Sequence, residues 1–327
     1  MANEAEFRDV IRPINVGDVI TNAFALYRSH LGTYLRISLT ATLWVLLPII
    51  LLATLIPLGI VAIDRAGLDS ASIVMIAVVV GVLGTWGLFY CSAKYLLNAA
   101  LISRLAFFDF TNQPESVQTA RNYLQPRLWS FLRVTMQVII SLYFLMVGLY
   151  ILLMIAVFAL AFLIAGISTL LGINSDNPIG VILLGLVVTV LSLAAIVFIL
   201  YAFLWYFSRW MVAEVPLAVE SEVTGGKSVV RSWQLTKGSV NRILMVASIA
   251  FLVTLPIVSM TNIAPTILLV IIRQGSPLYW AVYAISVVLS FASGIFILPF
   301  WQTIKAVLYC DLRSRREGLG LQLRDRE

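Results

Sequence analysis

Residues 224–228 read TGGKS, the chemistry of a phosphate cradle in which glycines open the backbone and a Lys–Ser pair meets phosphate oxygens and magnesium. The complete loop requires G-x-x-x-x-G-K-[ST], and its first glycine falls on Ser221. A strand should also come before it, whereas an apolar run and the acidic linker AVESEV precede these residues. Nucleotide binding is therefore set aside, and the glycines are expected to let the chain turn into a helix start.

Lys94 is the base that stands well inside an apolar run, ten residues, or about 15 Å of helix, from Arg104. Tyr90, Lys94 and Asn98 share a helical face at i, i+4 spacing. A charge within a membrane segment is a candidate contact for a polar ligand or ion. Equally, a lysine stem can carry its ammonium to the membrane edge. Both explanations stand at this point. Asp109, Glu214 and Asp311 each follow a base (Arg104, Arg209, Lys305) by five or six residues, so they either ring the exits of three spans or pair with these or neighbouring bases. Gly81, Gly84 and Gly87 recur every three residues and suggest close helix packing. His30 has no carboxylate near it in sequence and is expected to face solvent or headgroups. One histidine and two distant cysteines, Cys91 and Cys310, exclude most histidine-based metal centres and any disulfide framework within one chain. No nucleophile–base pair, metal set or cofactor site is expected, and the chain is not read as an enzyme.

The elements that position these residues are hydrophobic. Of 327 residues, 61% are hydrophobic and 12% charged, with a mean hydropathy of +0.99. Soluble domains carry about 25% charged residues. A bilayer core needs roughly 20 helical residues to cross it, and six runs qualify: Ile37–Ile63, Ser72–Leu101, Val134–Ile167, Val181–Phe207, Ile243–Ile272 and Pro277–Thr303. The third has no polar turn, so one long helix is expected there. The first 36 residues do not resemble a cleavable leader, so the first span is expected to be retained as an anchor. All but Arg65 and Arg273 of the 22 Lys and Arg lie on the side that holds both termini. The positive-inside rule makes that side cytoplasmic. The net charge of +6 then faces anionic lipid headgroups or serves topology alone, and nucleic acid is not needed to explain it.

Three stretches align without gaps: VGDVITNAFALYRSHLGTYLRI from Val16, QPESVQTARNYLQPRLWSFLRV from Gln113 and GGKSVVRSWQLTKGSVNRILMV from Gly225. Each predicts a turn, a short amphipathic helix lying at the interface, and then a span. Ile20, Phe24, Tyr27 and Leu31 form the apolar face of the first helix; Val229, Trp233, Thr236 and Val240 form that of the third. Pro48 and Pro57 in span one match Pro256 and Pro265 in span five, and should bend their helices. The expected fold is an all-α integral membrane domain over residues 1–327. It consists of three parallel repeats of interfacial helix plus transmembrane hairpin, at about 16–112, 113–224 and 225–316, with a cytoplasmic tail at 317–327.

These residues also carry a family likeness. VVRSWQLTKGSVNRIL, the ending AVLYCDLRSRREGLGLQLR and the opening INVGDVITNAFALYRSHLGTYLRI resemble the membrane domain attached to glycerophosphodiester phosphodiesterases and its free-standing prokaryotic relatives. Gly320 departs from the acid that this tail often carries. The resemblance implies the membrane fold, in a prokaryotic cell (inner) membrane. The catalytic barrel of the fused enzymes has no counterpart here, so the hydrolytic activity does not transfer. The expected role is non-catalytic: organising lipid, with anionic headgroups as the first partner, or organising a protein partner. A transporter, channel or lipid-handling protein built around a cavity is the alternative.

Overall fold

The structure, a computed structural model, describes residues 14–67, 69–170 and 178–318. The expected leader-free start, the loop GINSDNP before residue 178 and the tail beyond Gly318, with Gly320, lie outside the described residues. Among the described residues the chain is helical, with no strand. In order the helices are α1 (Val16–Ser29), α2 (Leu31–Ala66), α3 (Ser70–Phe110), α4 (Val117–Leu124), a 3-10 turn (Gln125–Arg127), α5 (Leu128–Leu170), α6 (Pro178–Trp210), α7 (Glu214–Val219), α8 (Gly225–Thr236), α9 (Val240–Val258), a π-helical segment (Ser259–Ile263), α10 (Ala264–Ile271) and α11 (Pro277–Glu317). Six of the described helical stretches are long and apolar enough to cross a membrane. Bilayer interiors offer no water to unpaired backbone groups, so apolar runs of this length close their hydrogen bonds within the helix.

Local signals set the helix ends. The Asp18 carboxylate accepts from the Asn15 backbone N–H at the start of α1, and Ser116 Oγ accepts from the Thr119 N–H at the start of α4. Ser276 does the same for α11, with Pro277 in its first turn. Gly67 and Gly318, at φ of 56° and 60°, close α2 and α11 in the left-handed conformation that glycine adopts without strain. The long apolar run of span three forms one uninterrupted helix, α5.

The chain divides into two compact units, Met1–Thr135 with Met211–Glu327, and Met136–Trp210. The smaller unit holds most of α5 and all of α6, whose described side chains are largely exposed. In the larger unit the core is concentrated at one end. Every residue from Leu97 to Phe107 in α3 is buried, while none from Ser70 to Tyr90 is. The same change occurs along α2, whose buried residues end at Thr42, and along α11, where burial becomes dense from Pro299 to Leu312. The apolar run expected to cross the bilayer as Ser72–Leu101 therefore continues into protein interior rather than lipid.

The short helices bury small side chains. Ala23 on α1, Ala120 on α4 and Ser232 on α8 are buried, as are Tyr34, Phe131 and Ile243, and Ile37, Val134 and Val246, in the segments that follow. The face expected for α1 is not the buried one: Phe24 is 48% and Leu31 37% exposed, whereas Val19 and Ala23 are at 0%. Small residues let α1 pack closely along α11, and Phe24 and Tyr27 stand at the edge of that contact, where both meet the Phe300 ring edge-on at 6.3 and 6.1 Å. One further expectation is corrected. No heavy atom lies within 4 Å of where a Cβ would stand on Gly81, Gly84 or Gly87, so these glycines do not serve helix packing within the chain. The matched prolines behave differently. α2 is α-helical through Pro48 and Pro57, whereas span five passes through a π-helical segment between Pro256 and Pro265.

Enlarging the buried side of α1 should disturb packing more than trimming its exposed side. Ala23→Leu is expected to destabilise by about 1–3 kcal/mol. Phe24→Ala should cost less, and thermal unfolding of the purified protein in detergent compares the two.

Candidate membrane-interface site

The TGGKS residues are occupied structurally. A Cβ at Gly225 would stand 3.2 Å from the Ser130 carbonyl oxygen, so glycine permits a close approach to α5. Ser228 is buried and its hydroxyl donates to the Ala213 carbonyl at 2.5 Å, while Lys227 is exposed. The serine hydroxyl thus serves the α7–α8 corner.

Around that corner the acids turn inward. Glu115 takes two hydrogen bonds from Arg104, Nε–Oε2 at 2.7 Å and Nη2–Oε1 at 3.1 Å. The third guanidinium nitrogen donates to the Ala218 carbonyl at 2.7 Å, and the plane lies 3.7 Å from the Tyr123 ring centroid. Arg127 approaches Tyr123 at 4.4 Å and donates to the carbonyls of Leu217, Glu220 and Ser221. Glu220 accepts from Arg231 and from the Tyr309 hydroxyl, and Glu317 accepts from Arg231 and Arg313. Burial works against the Arg231 charge, but hydrogen bonds and the negative charges of Glu317 and Glu220 hold its pKa above the ordinary range.

The three exit acids find partners other than the preceding bases. Asp109 meets His30 at 3.2 Å, Glu214 meets Lys305 at 2.7 Å, and Asp311 meets Arg242 at 3.0 Å and Arg315 at 3.1 Å. Asp311 also accepts the Ile14 N–H. Residues five or six apart on a helix do not share a face, so Arg104 and Asp109 diverge and each pairs across helices. His30, without a carboxylate close in sequence, gains one from the far end of α3.

Lys94 stands one turn beyond the exposed stretch of α3, at its boundary with the buried polar end. Its Nζ lies 5.4 Å from the Tyr90 ring centroid and 5.8 Å from that of Trp44 on α2. Trp86 stacks on Tyr90 at 5.8 Å, Trp44 meets it edge-on at 5.8 Å, and Trp129 of α5 approaches it at 6.5 Å. Aromatic faces attract a cation but accept no ordinary hydrogen bond. Among the described residues nothing accepts a hydrogen bond from this ammonium, and no carboxylate pairs with it. Asn98 does not turn to the ammonium: its amide donates to the Lys94 carbonyl at 2.8 Å. The expected trio therefore reduces to Lys94 with Tyr90. Trp44 and Trp129 come from other helices, and no spacing in the sequence connects them with Lys94.

Among the described residues, no group of three or more His, Cys, Asp or Glu is placed to hold a metal ion. Compared with known proteins, the chain matches no family model, no curated protein and no solved structure.

The Arg104 and Glu115 side chains are only 8% and 15% exposed, against 46% and 27% for His30 and Asp109. Glu115→Gln, which strands a buried guanidinium, should therefore cost about 3–5 kcal/mol. His30→Gln should cost under about 1 kcal/mol. Unfolding midpoints of the two variants in one detergent measure the contrast.

Proposed function

We propose that this chain is a non-catalytic multi-pass protein of a prokaryotic cell (inner) membrane that organises anionic lipid at its cytoplasmic face. One observation carries this reading. On the side holding most of the base, Asp109, Glu115, Glu214, Glu220, Asp311 and Glu317 are engaged in ion pairs, while Arg28, Arg36, Arg133, Lys227 and Lys237 are exposed. With those six acids neutralised inside the protein, the exposed bases outnumber the exposed acids Asp18 and Glu222 among the described residues on that side. Each base near an anionic leaflet contributes about 1 kcal/mol of attraction.

The proposal includes the finer architecture. Both termini are cytoplasmic, and three repeats each place a short helix at the interface before a span. Burial at matched positions supports the repeats: Ala23, Ala120 and Ser232 are offset by 97 and 209 residues, and so are Tyr34, Phe131 and Ile243. The resemblance to the phosphodiesterase-linked membrane domain points the same way. A protein partner in place of lipid fits the same exposed bases.

A transporter or lipid-handling protein is the second reading, and the π-helical segment in span five favours it. Within the π-helical segment Asn262 accepts from Ser290 of α11 at 2.5 Å, joining two spans through a polar contact. π-helical segments inside longer helices recur at functional sites.

Two measurements test the first reading. Single cysteines at Asp69 and Gln274 should react with an impermeant reagent added outside intact cells, and one at Gly318 should not; reaction at 318 overturns the orientation. Protein extracted with its surrounding lipid should be enriched in anionic phospholipid over the bulk membrane. A co-isolated composition equal to the bulk rejects the lipid-organising role.

A further inference from the structure

We propose that Lys94, between Trp44 and Tyr90 and beside Trp129, binds the phosphate group of an anionic phospholipid. This inference rests on the lipid-organising reading above and gives it a residue-level site.

Depth is the first consideration. The stretch of α3 without a buried residue runs from Ser70 to Tyr90, 21 residues. At 1.5 Å per residue this spans about 32 Å, close to the roughly 30 Å hydrocarbon thickness of a bilayer. Lys94 follows one turn later, which sets its ammonium at headgroup level. Beyond it, Leu97 to Phe107 enter the protein core, so the lysine marks the border between lipid-facing and protein-buried helix.

Hydrogen-bond accounting is the second. An ammonium has three N–H donors. The rings of Trp44 and Tyr90 stabilise its charge at 5.8 and 5.4 Å but accept none of those bonds in the ordinary sense. Asp109, Glu115, Glu214, Glu220, Asp311 and Glu317 are committed to His30, Arg104, Lys305, Arg231, Arg242 and Arg313, and no described acid pairs with Lys94. A phosphate supplies the missing acceptors and the opposite charge.

The surroundings are the third. Arg36 lies about two turns before Trp44 on α2, and Arg133 lies one turn beyond Trp129 on α5. Both are exposed, and no described side chain pairs with either. They add positive charge from two further helices. On the outer side, Leu43, Leu47, Trp86 and Phe89 are exposed and offer apolar surface to acyl chains. Phosphate, aromatic collar and acyl surface thus follow one another in the order of a phospholipid.

The test is native mass spectrometry of delipidated full-length protein titrated with phosphatidylglycerol, phosphatidylcholine and free glycerol phosphate. Wild type should bind phosphatidylglycerol in preference to phosphatidylcholine. Lys94→Met should weaken the first phosphatidylglycerol roughly tenfold, the loss of about one charge-assisted hydrogen bond, and Lys94→Arg should retain it. Binding of glycerol phosphate that also depends on Lys94 would support the phosphate site with a soluble source. Undiminished phosphatidylglycerol binding by a folded Lys94→Met, with preference over phosphatidylcholine intact, overturns the site while leaving the lipid-organising reading in place. Wild type with no preference for the anionic lipid rejects both. If Lys94→Met does not fold, acetylation of Lys94 in wild type decides: phosphatidylglycerol should protect it, and equal acetylation with and without the lipid rejects the site.

Discussion

A charge that leaves water must be matched, and the polar end of the larger unit is organised around that requirement. Arg104, Arg231 and Arg242 are drawn in between helices, and each meets a carboxylate together with hydrogen bonds to carbonyls or further acids. Removing either member of such a pair strands the other, so these side chains specify which helices meet. Arg104 of α3 ties in the start of α4 through Glu115 and the end of α7 through Ala218. Arg231 of α8 ties Glu220 to the end of α11. The outward-facing bases are what remains when the acids have been taken inside.

Packing at the same end uses small residues for the same purpose. Ala23, Ala120, Ser228 and Ser232 are buried, and Gly225 admits the Ser130 carbonyl. Close helix approach shortens the distance over which side chains must reach to pair. The spans carry little of this burden. Their most apolar windows are almost entirely exposed within the chain, apart from part of span five. Lipid tails are as apolar as these side chains, so hydrophobicity gives the spans no drive to associate with one another.

Spans one and five show how local sequence and tertiary context divide the outcome. Both carry two prolines nine residues apart, yet one helix is α-helical throughout and the other contains a π-helical segment. In span five, Thr254, Thr261 and Thr266 return their hydroxyls to carbonyls four residues back, and Asn262 reaches Ser290. The hydroxyls add second donors to carbonyls before and within the π-helical segment, and the Asn262–Ser290 contact joins that segment to α11. The residues matched to Asn262 and Thr266 in span one are apolar or lie one place off, so the π-turn there would have fewer such partners.

The sequence by itself determined the helices: their apolar runs, the short helices ahead of spans one, three and five, and the single long helix of span three, although the turns expected at Gly17–Asp18 and Gly226–Lys227 lie within the first turns of α1 and α8. These follow from contacts within a few residues, which are written consecutively in the chain. It also singled out Lys94 and Tyr90, one turn apart. Only the tertiary structure decided where lipid-facing helix ends and protein core begins, because hydropathy reports the cost of leaving water and not what replaces it. The buried face of α1, the Asp109–His30 and Glu214–Lys305 pairs and the placement of Trp44 and Trp129 beside Tyr90 were decided there too. Each depends on residues tens of positions apart, and the geometry that unites them exists only once the helices pack.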